Sequence, residues 1–211
     1  MKVVIFDMDG TLIDSKKDIT ISINYVRELN HGLPPLSEEF IVKAINMEVR
    51  NLPKLFYETE EYHDEDRVIF EEHYQTQCIQ NSYLYDGVYE MLQALKKANV
   101  KLSVATNAPT QFAQTMLSHL SVANLFDVII GADKVSASKP DPKMIYKILD
   151  FYNFNKNINI DSAWMVGDNS KDIQSAINAG INSMFATWGF SPHAEYETVV
   201  KCPKEVLSIV L

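Results

Sequence analysis

Two carboxylates, Asp7 and Asp9, stand two residues apart directly after the apolar run Val3-Val4-Ile5-Phe6. Gly10 follows and lets the chain turn sharply. Polar groups end other apolar runs in the same way. Thr106-Asn107 closes Leu102-Ser103-Val104-Ala105, and Asp168 follows Ala163-Trp164-Met165-Val166-Gly167, with Asp172 four residues on. Lys139 stands in Ser138-Lys139-Pro140-Asp141-Pro142, just ahead of a helical stripe. Taken singly, each residue has an ordinary structural reading. Asp-x-Asp is a common turn, Thr106 is a polar strand terminus, and Lys139 is a solvated lysine. Asp168 is a turn or cap residue, and Asp172 is an acid favoured in a helix's first turn. Taken together they put four carboxylates, a hydroxyl and a lysine at chain positions that a parallel sheet brings to one edge.

Phosphoryl transfer is the chemistry that needs such a set. A phosphoryl group carries dense negative charge, and an aspartate attacks it only where that charge is neutralised. Mg²⁺ takes oxygen ligands, commonly one or two carboxylates with substrate phosphate and water. Asp7 and Asp168 are the candidate carboxylates, and Lys139 adds positive charge from another side. The Thr106 hydroxyl and N–H groups at a helix start can hold phosphate oxygens. Asp9, two residues from Asp7, is the candidate acid for the leaving oxygen. The sequence contains no Gly-x-x-x-x-Gly-Lys-Ser/Thr loop, so a P-loop nucleotide enzyme is excluded.

The elements that must position these groups follow from hydrophobic periodicity. Val3–Phe6 is short, continuous and β-branched, as in a strand buried on both faces. Strands are also predicted at Lys101–Thr106, Val128–Ile130, Ala163–Val166 and Ser183–Thr187. Helices fall between them: Gly87–Ala98, one opened by Pro109, one with Asp141 as cap and Pro142 as first residue, Ser170–Ala179 closed by Gly180, and a last one over Pro203–Leu211. Alternating strands and helices imply an α/β parallel sheet with helices on both faces. One block breaks the alternation right after the first strand. A helix carrying Ile19, Ile23, Val26 and Leu29 ends at Gly32. Three more follow, around Phe40-Ile41 with Ala44 and Ile45, around Leu52, Leu55 and Phe56, and from Asp64-Glu65-Asp66 through Val68, Ile69, Phe70 and Tyr74. No strand is evident between Leu36 and Tyr83.

A length of 211 residues suits one core domain with a smaller insert. A net charge of −9 argues against nucleic acid or an anionic membrane as partner, but leaves small anions open, since local charge governs a small site. No apolar run approaches the roughly 20 residues of a membrane span, and the chain enters its first strand with no signal-peptide pattern. Cys78 and Cys202 are far apart, as suits two unpaired thiols in a reduced, cytoplasmic protein.

The motifs together carry a resemblance. Asp7-Met8-Asp9-Gly10-Thr11-Leu12-Ile13-Asp14-Ser15 resembles the first motif of the haloacid dehalogenase-like hydrolase superfamily. Thr106-Asn107, Lys139-Pro140-Asp141-Pro142 and Gly167-Asp168-Asn169-Ser170-Lys171-Asp172 resemble its second, third and fourth, in the right order. The resemblance implies a Rossmann-like core over 1–15 and 85–211, with an all-helical cap inserted at 16–84. It implies that Asp7 is the nucleophile and Asp9 the general acid and then base, with its backbone carbonyl on the metal. Gly10, Thr106 and Asn107 are implied to contact the phosphoryl group, Lys139 to steady Asp7 and the phosphate, Asp168 to bind Mg²⁺, and Asp172 to support the metal shell or Lys139. The aspartate at position 9 points to a phosphatase rather than a dehalogenase.

Within the superfamily, Val104-Ala105-Thr106-Asn107-Ala108-Pro109-Thr110 and Thr187-Trp188-Gly189-Phe190 are similar to the phosphoglycolate phosphatase group. That group often has a lysine where Ala108 stands, a proline where Asp86 stands, and a glycine within the stretch here reading Ile45-Asn46-Met47-Glu48-Val49-Arg50. The expected activity is hydrolysis of a small phosphorylated metabolite, phosphoglycolate-like or a sugar phosphate, by a monomer or homodimer. A phosphosugar mutase of the same superfamily and a non-catalytic phosphate-binding regulatory protein are the alternatives. His31, His63, His73, His119 and His193 show no metal-ligand spacing. His193, Trp188 and Phe190 are candidates to rim the site, and Lys43, Arg50 and Lys54 to meet a substrate carboxylate. Core packing or a solvated face is the ordinary reading of each.

Overall fold

The structure, a computed structural model, describes residues 1–47, 50–154, 162–191 and 196–211. The chain forms two compact units, one of Met1–Asp14 with Leu84–Leu211 and the other of Ser15–Tyr83.

The first strand, β1 (Val3–Phe6), has no exposed residue. The chain then turns tightly: the Met8 carbonyl accepts from the N–H groups of Thr11, Leu12 and Ile13, and Gly10 takes a φ of 85°. A two-residue strand, β2 (Ile13–Asp14), closes this segment.

The helical unit comes next: α1 (Lys16–His31), α2 (Glu38–Asn46), α3 (Leu52–Tyr57) and α4 (Asp64–Gln77). Its own core gathers Ile23 and Val26 of α1, Ile41 and Ala44 of α2, and Phe56 and Tyr57 of α3. Periodicity places a residue on the inner face only approximately, and Leu29, Phe40 and Val68 lie exposed instead. Buried acids brace the unit. Asp18 at the start of α1 accepts from the Gln77 side chain and from both the main chain and side chain of Asn81. Asp66 of α4 accepts from Asn30 and lies 2.6 Å from His31 Nε2. Arg27 donates to the carbonyls of Pro34 and Phe56.

After β3 (Tyr83–Leu84) come α5 (Val88–Lys97), β4 (Lys101–Ala105), α6 (Thr110–His119), β5 (Val128–Ile130), α7 (Lys143–Phe151), β6 (Ala163–Gly167), α8 (Ser170–Ala179), β7 (Asn182–Ala186), β8 (Val199–Val200) and α9 (Pro203–Val210). Six strands form one sheet in the order β5-β4-β1-β6-β7-β8, every pairing parallel. This is the parallel α/β sheet that the alternation implied and the Rossmann-like architecture that the resemblance implied. Val3, Ile5, Met165 and Ala105 of the sheet pack with Met144, Ile145, Ile148 and Leu149 of α7 and with Ala176 and Ala179 of α8 in one cluster. Helix α8 carries a full capping box, Asn169 and Asp172 each accepting from the other's main chain. Pro142 is the N-cap of α7, one residue later than expected, while Asp141 accepts from the N–H of Lys143. Strands β2, β3 and β8, two residues each, are too short to show a period and had no counterpart in the sequence reading. Neither cysteine is in a disulfide; Cys78 is buried and Cys202 exposed.

Candidate active site

In a parallel sheet every strand points the same way, so residues that follow β1, β4 and β6 emerge together. The register fixes how closely. Phe6 pairs with Val104 on one side and Val166 on the other, so Asp7 comes next to Ala105 and Gly167. The ladder extends one residue past the strands: Asp7 N–H donates to Val166 O, and Thr106 N–H to Ile130 O. Asp7 and Thr106 are therefore held by sheet hydrogen bonds although they lie at its edge. Met8 points into the core, while Asp9 on the other side of the alternation is half-buried.

Lys139 arrives from the loop before α7 with its side chain buried. Its ammonium donates to Asp7 Oδ1 at 2.5 Å, Asp172 Oδ1 at 2.6 Å and the Ala105 carbonyl at 2.6 Å. An ammonium has three N–H bonds, so all its donors are engaged. Burial by itself would lower the Lys139 pKa, but the charges of Asp172 and Asp7 outweigh it and hold the ammonium above its ordinary range.

Asp168 completes the cluster. The Phe190 N–H reaches its Oδ2 at 2.8 Å and the Thr11 hydroxyl its Oδ1 at 3.3 Å. Burial first, then the charges of Asp7 and Asp172, push its carboxyl well above the ordinary range. Asp172 is pushed up to about 6 by burial, against the pull of Lys139. One carboxylate oxygen from each of Asp7, Asp168 and Asp172 lies within 4.8 Å of the others. Asp172 already spends Oδ1 on Lys139 and Oδ2 on the Asn169 N–H.

The cluster fits a hard divalent cation. Its donors are all oxygens, and three buried carboxylates face a single ammonium. Asp7 and Asp168, which follow β1 and β6 at the sheet edge, are the side chains that would hold such a cation, while Asp172 pairs with Lys139.

The remaining predicted residues fall into two groups. Thr106 is buried one residue beyond the register partner of Asp7, and its hydroxyl oxygen accepts from the Ala108 N–H. Gly10 is at the turn against Asp168, where a Cβ would run into that carboxylate. Asn107, in contrast, turns to the lysine loop: its Nδ2 donates to Lys139 O at 3.1 Å and its Oδ1 accepts from Lys139 N–H at 2.9 Å. The segment after β7 contributes more than the sequence suggested. Trp188 Nε1 donates to Thr11 O at 2.9 Å, and Gly189 passes so close to the Gly10 carbonyl that a Cβ there would overlap it. Thr11 and Phe190 act on Asp168, Thr11 within a segment singled out for other residues and Phe190 through its main chain, which leaves no side-chain signature. Lys54 pairs with Glu60 at 2.7 Å on an exposed face, and His193 lies outside the described residues.

The family model described as haloacid dehalogenase-like hydrolase matches residues 4–186. N-acetylmuramic acid 6-phosphate phosphatase of Pseudomonas aeruginosa is 29% identical over all of this chain and 95% of its own length. Phosphoglycolate phosphatase of Aquifex aeolicus is 31% identical over 90% of this chain and 86% of its own. A crystal structure from Haemophilus somnus 129pt, described as a predicted phosphoglycolate phosphatase, superposes with a TM-score of 0.84 at 25% identity, covering 100% of this chain and 98% of that one.

Proposed function

Because the chain belongs to the haloacid dehalogenase-like hydrolases, we propose that its acidic sheet edge hydrolyses a phosphomonoester through a phosphorylated Asp7. The chain is a phosphatase of a small phosphorylated metabolite. The observation that carries the residue roles is the buried contact of Lys139 with both Asp7 and Asp172, with Asp168 alongside.

In this reading an Asp7 carboxylate oxygen forms a bond to phosphorus as the ester P–O bond breaks, and Asp9 gives its proton to the departing alkoxide oxygen. Asp9 then takes a proton from water as the water oxygen bonds to phosphorus and the Asp7–phosphorus link breaks. Inorganic phosphate leaves and both aspartates return to their starting states. Lys139 keeps Asp7 aimed, and the Thr106 hydroxyl donates to a phosphoryl oxygen. Mg²⁺, held by Asp7, Asp168 and the Asp9 carbonyl, supplies neutralising charge when bound. Thr11 and Phe190 keep Asp168 oriented, and Asp172 braces Lys139. The helical unit at 15–83 serves as the cap that recognises the organic part of the substrate, in a cytoplasmic enzyme.

The test is phosphate release from a panel containing 2-phosphoglycolate, N-acetylmuramic acid 6-phosphate, sugar phosphates and nucleoside monophosphates, with Mg²⁺ and with a chelator. Phosphate release that stops with chelator and returns with Mg²⁺ supports the reading. Turnover indifferent to chelator overturns the metal role. Sugar-phosphate isomers formed without phosphate release would make the enzyme a mutase.

A further inference from the structure

Asn107 follows Thr106 at the edge of the sheet, where its neighbours face the phosphoryl position, yet its carboxamide is spent on another chain segment. The main-chain N–H of Lys139 donates to Oδ1, and Nδ2 donates to the main-chain carbonyl of the same residue. An N–H can only donate and a carbonyl only accept, so these two partners fix which way round the amide sits. The pairing imitates one rung of a β-ladder, built by a side chain across 32 residues of sequence.

Two residues back, the Ala105 carbonyl accepts from the Lys139 ammonium at 2.6 Å. One short stretch therefore grips Lys139 at both ends, the main chain through Asn107 and the ammonium through Ala105. Lysine has a long flexible stem with much rotamer freedom. Its charge is fixed at Asp7 only if the backbone that bears it is fixed too. The Asn107 side chain engages both the carbonyl and the N–H of the Lys139 main chain.

We propose that Asn107 is a positioning residue for Lys139, setting the ammonium against Asp7 through the Lys139 main chain rather than by contact with the phosphoryl group. The proposal rests on the reading of Lys139 as the group that steadies Asp7. It reassigns the Asn107 side chain from substrate contact to the support of another residue.

The test is a double-mutant cycle of Asn107→Ala and Lys139→Ala, with hydrogen exchange of the Lys139 amide followed by NMR. Asn107→Ala alone is expected to lower kcat by roughly 10- to 100-fold, with KM and inhibition by inorganic phosphate changed by less than about 2-fold. In the Lys139→Ala background the same substitution is expected to change kcat by less than about 2-fold. The Lys139 amide is expected to exchange faster in Asn107→Ala and to stay protected in Asn107→Asp, which keeps the acceptor. A rise in KM and in the phosphate inhibition constant at unchanged kcat would overturn the proposal, because it marks a substrate contact. So would a full Asn107→Ala loss persisting without Lys139, or unchanged exchange at the Lys139 amide. A Lys139→Ala enzyme as active as the parent would instead sink the reading of Lys139 itself, and the exchange result still reports on the Asn107 link. If Asn107→Ala does not fold, Asn107→Asp carries the cycle: it keeps the acceptor for the Lys139 N–H and replaces the donor by a carboxylate oxygen that repels the Lys139 carbonyl.

Discussion

Lys139 and Asp172 form an ion pair 2.6 Å long in which each side chain is 2% exposed. A buried pair of this kind costs desolvation on both partners, and removing one leaves the other's charge uncompensated. Lys139→Met is therefore expected to abolish most turnover and to cost about 3–5 kcal/mol of stability near neutral pH. Part of that loss should return on acidification, as the stranded carboxyls take up protons. Urea denaturation at several pH values checks it, and a loss independent of pH would contradict the charge argument.

Asp7→Asn keeps shape but gives a carboxamide that cannot form an acyl phosphate. Turnover should fall roughly 10⁴-fold or more, the scale of losing a covalent nucleophile, while the protein still melts cooperatively. Phosphate release close to that of the parent from pure variant would rule out Asp7 as the nucleophile.

Metal-free stability should decline with rising pH. Asp172 binds its proton more tightly when folded, its pKa moving from the ordinary 3.8 to about 6, and Asp168 moves in the same direction. In the window above 3.8 the folded state holds more protons than the unfolded one, so raising pH destabilises it. A divalent cation removes that penalty and competes with the same protons. The increase in Tm on adding Mg²⁺ should thus be larger at pH 7.5 than at pH 5.5. Equal increases would argue that no buried carboxyl is released by the metal.

Gly189→Ala tests how tightly the segment after β7 seats on the turn after β1. A Cβ at 189 would overlap the Gly10 carbonyl and come within 2.8 Å of Asp168 Oδ2. The segment must back away, taking with it the Phe190 N–H that holds Asp168. Mg²⁺ affinity is expected to fall about 10- to 100-fold, the usual scale for losing a partner behind a metal ligand. Calorimetric titration measures it, and parent-like affinity would show that Phe190 is dispensable.

Much of this arrangement can be read from the sequence because strand direction and residue order do the placing. Asp7, Thr106 and Asp168 each stop an apolar run, and parallel pairing alone brings such stops together. Lys139 belongs to a loop rather than a strand end; its place ahead of a helical stripe put it at the same edge, and the motif resemblance paired it with Asp7. The support behind the edge was illegible for a different reason. The Phe190 N–H on Asp168 and the Trp188 bond to the Thr11 carbonyl involve main-chain groups that every residue possesses. Asn107 was legible as a polar residue in the right place but not as one facing Lys139, because register between loops is a tertiary property. The exposed Leu29 shows the same limit in the helical unit, where periodicity gives a face but not its edges.

Strand β1 lies between β4 and β6, whose residues come about a hundred and a hundred and sixty positions later. As the chain leaves the ribosome, β1 must wait with both edges open until those two arrive. Asp7 is thus synthesised long before the strands that flank it, and the acidic edge it shares with Asp168 cannot assemble until they exist.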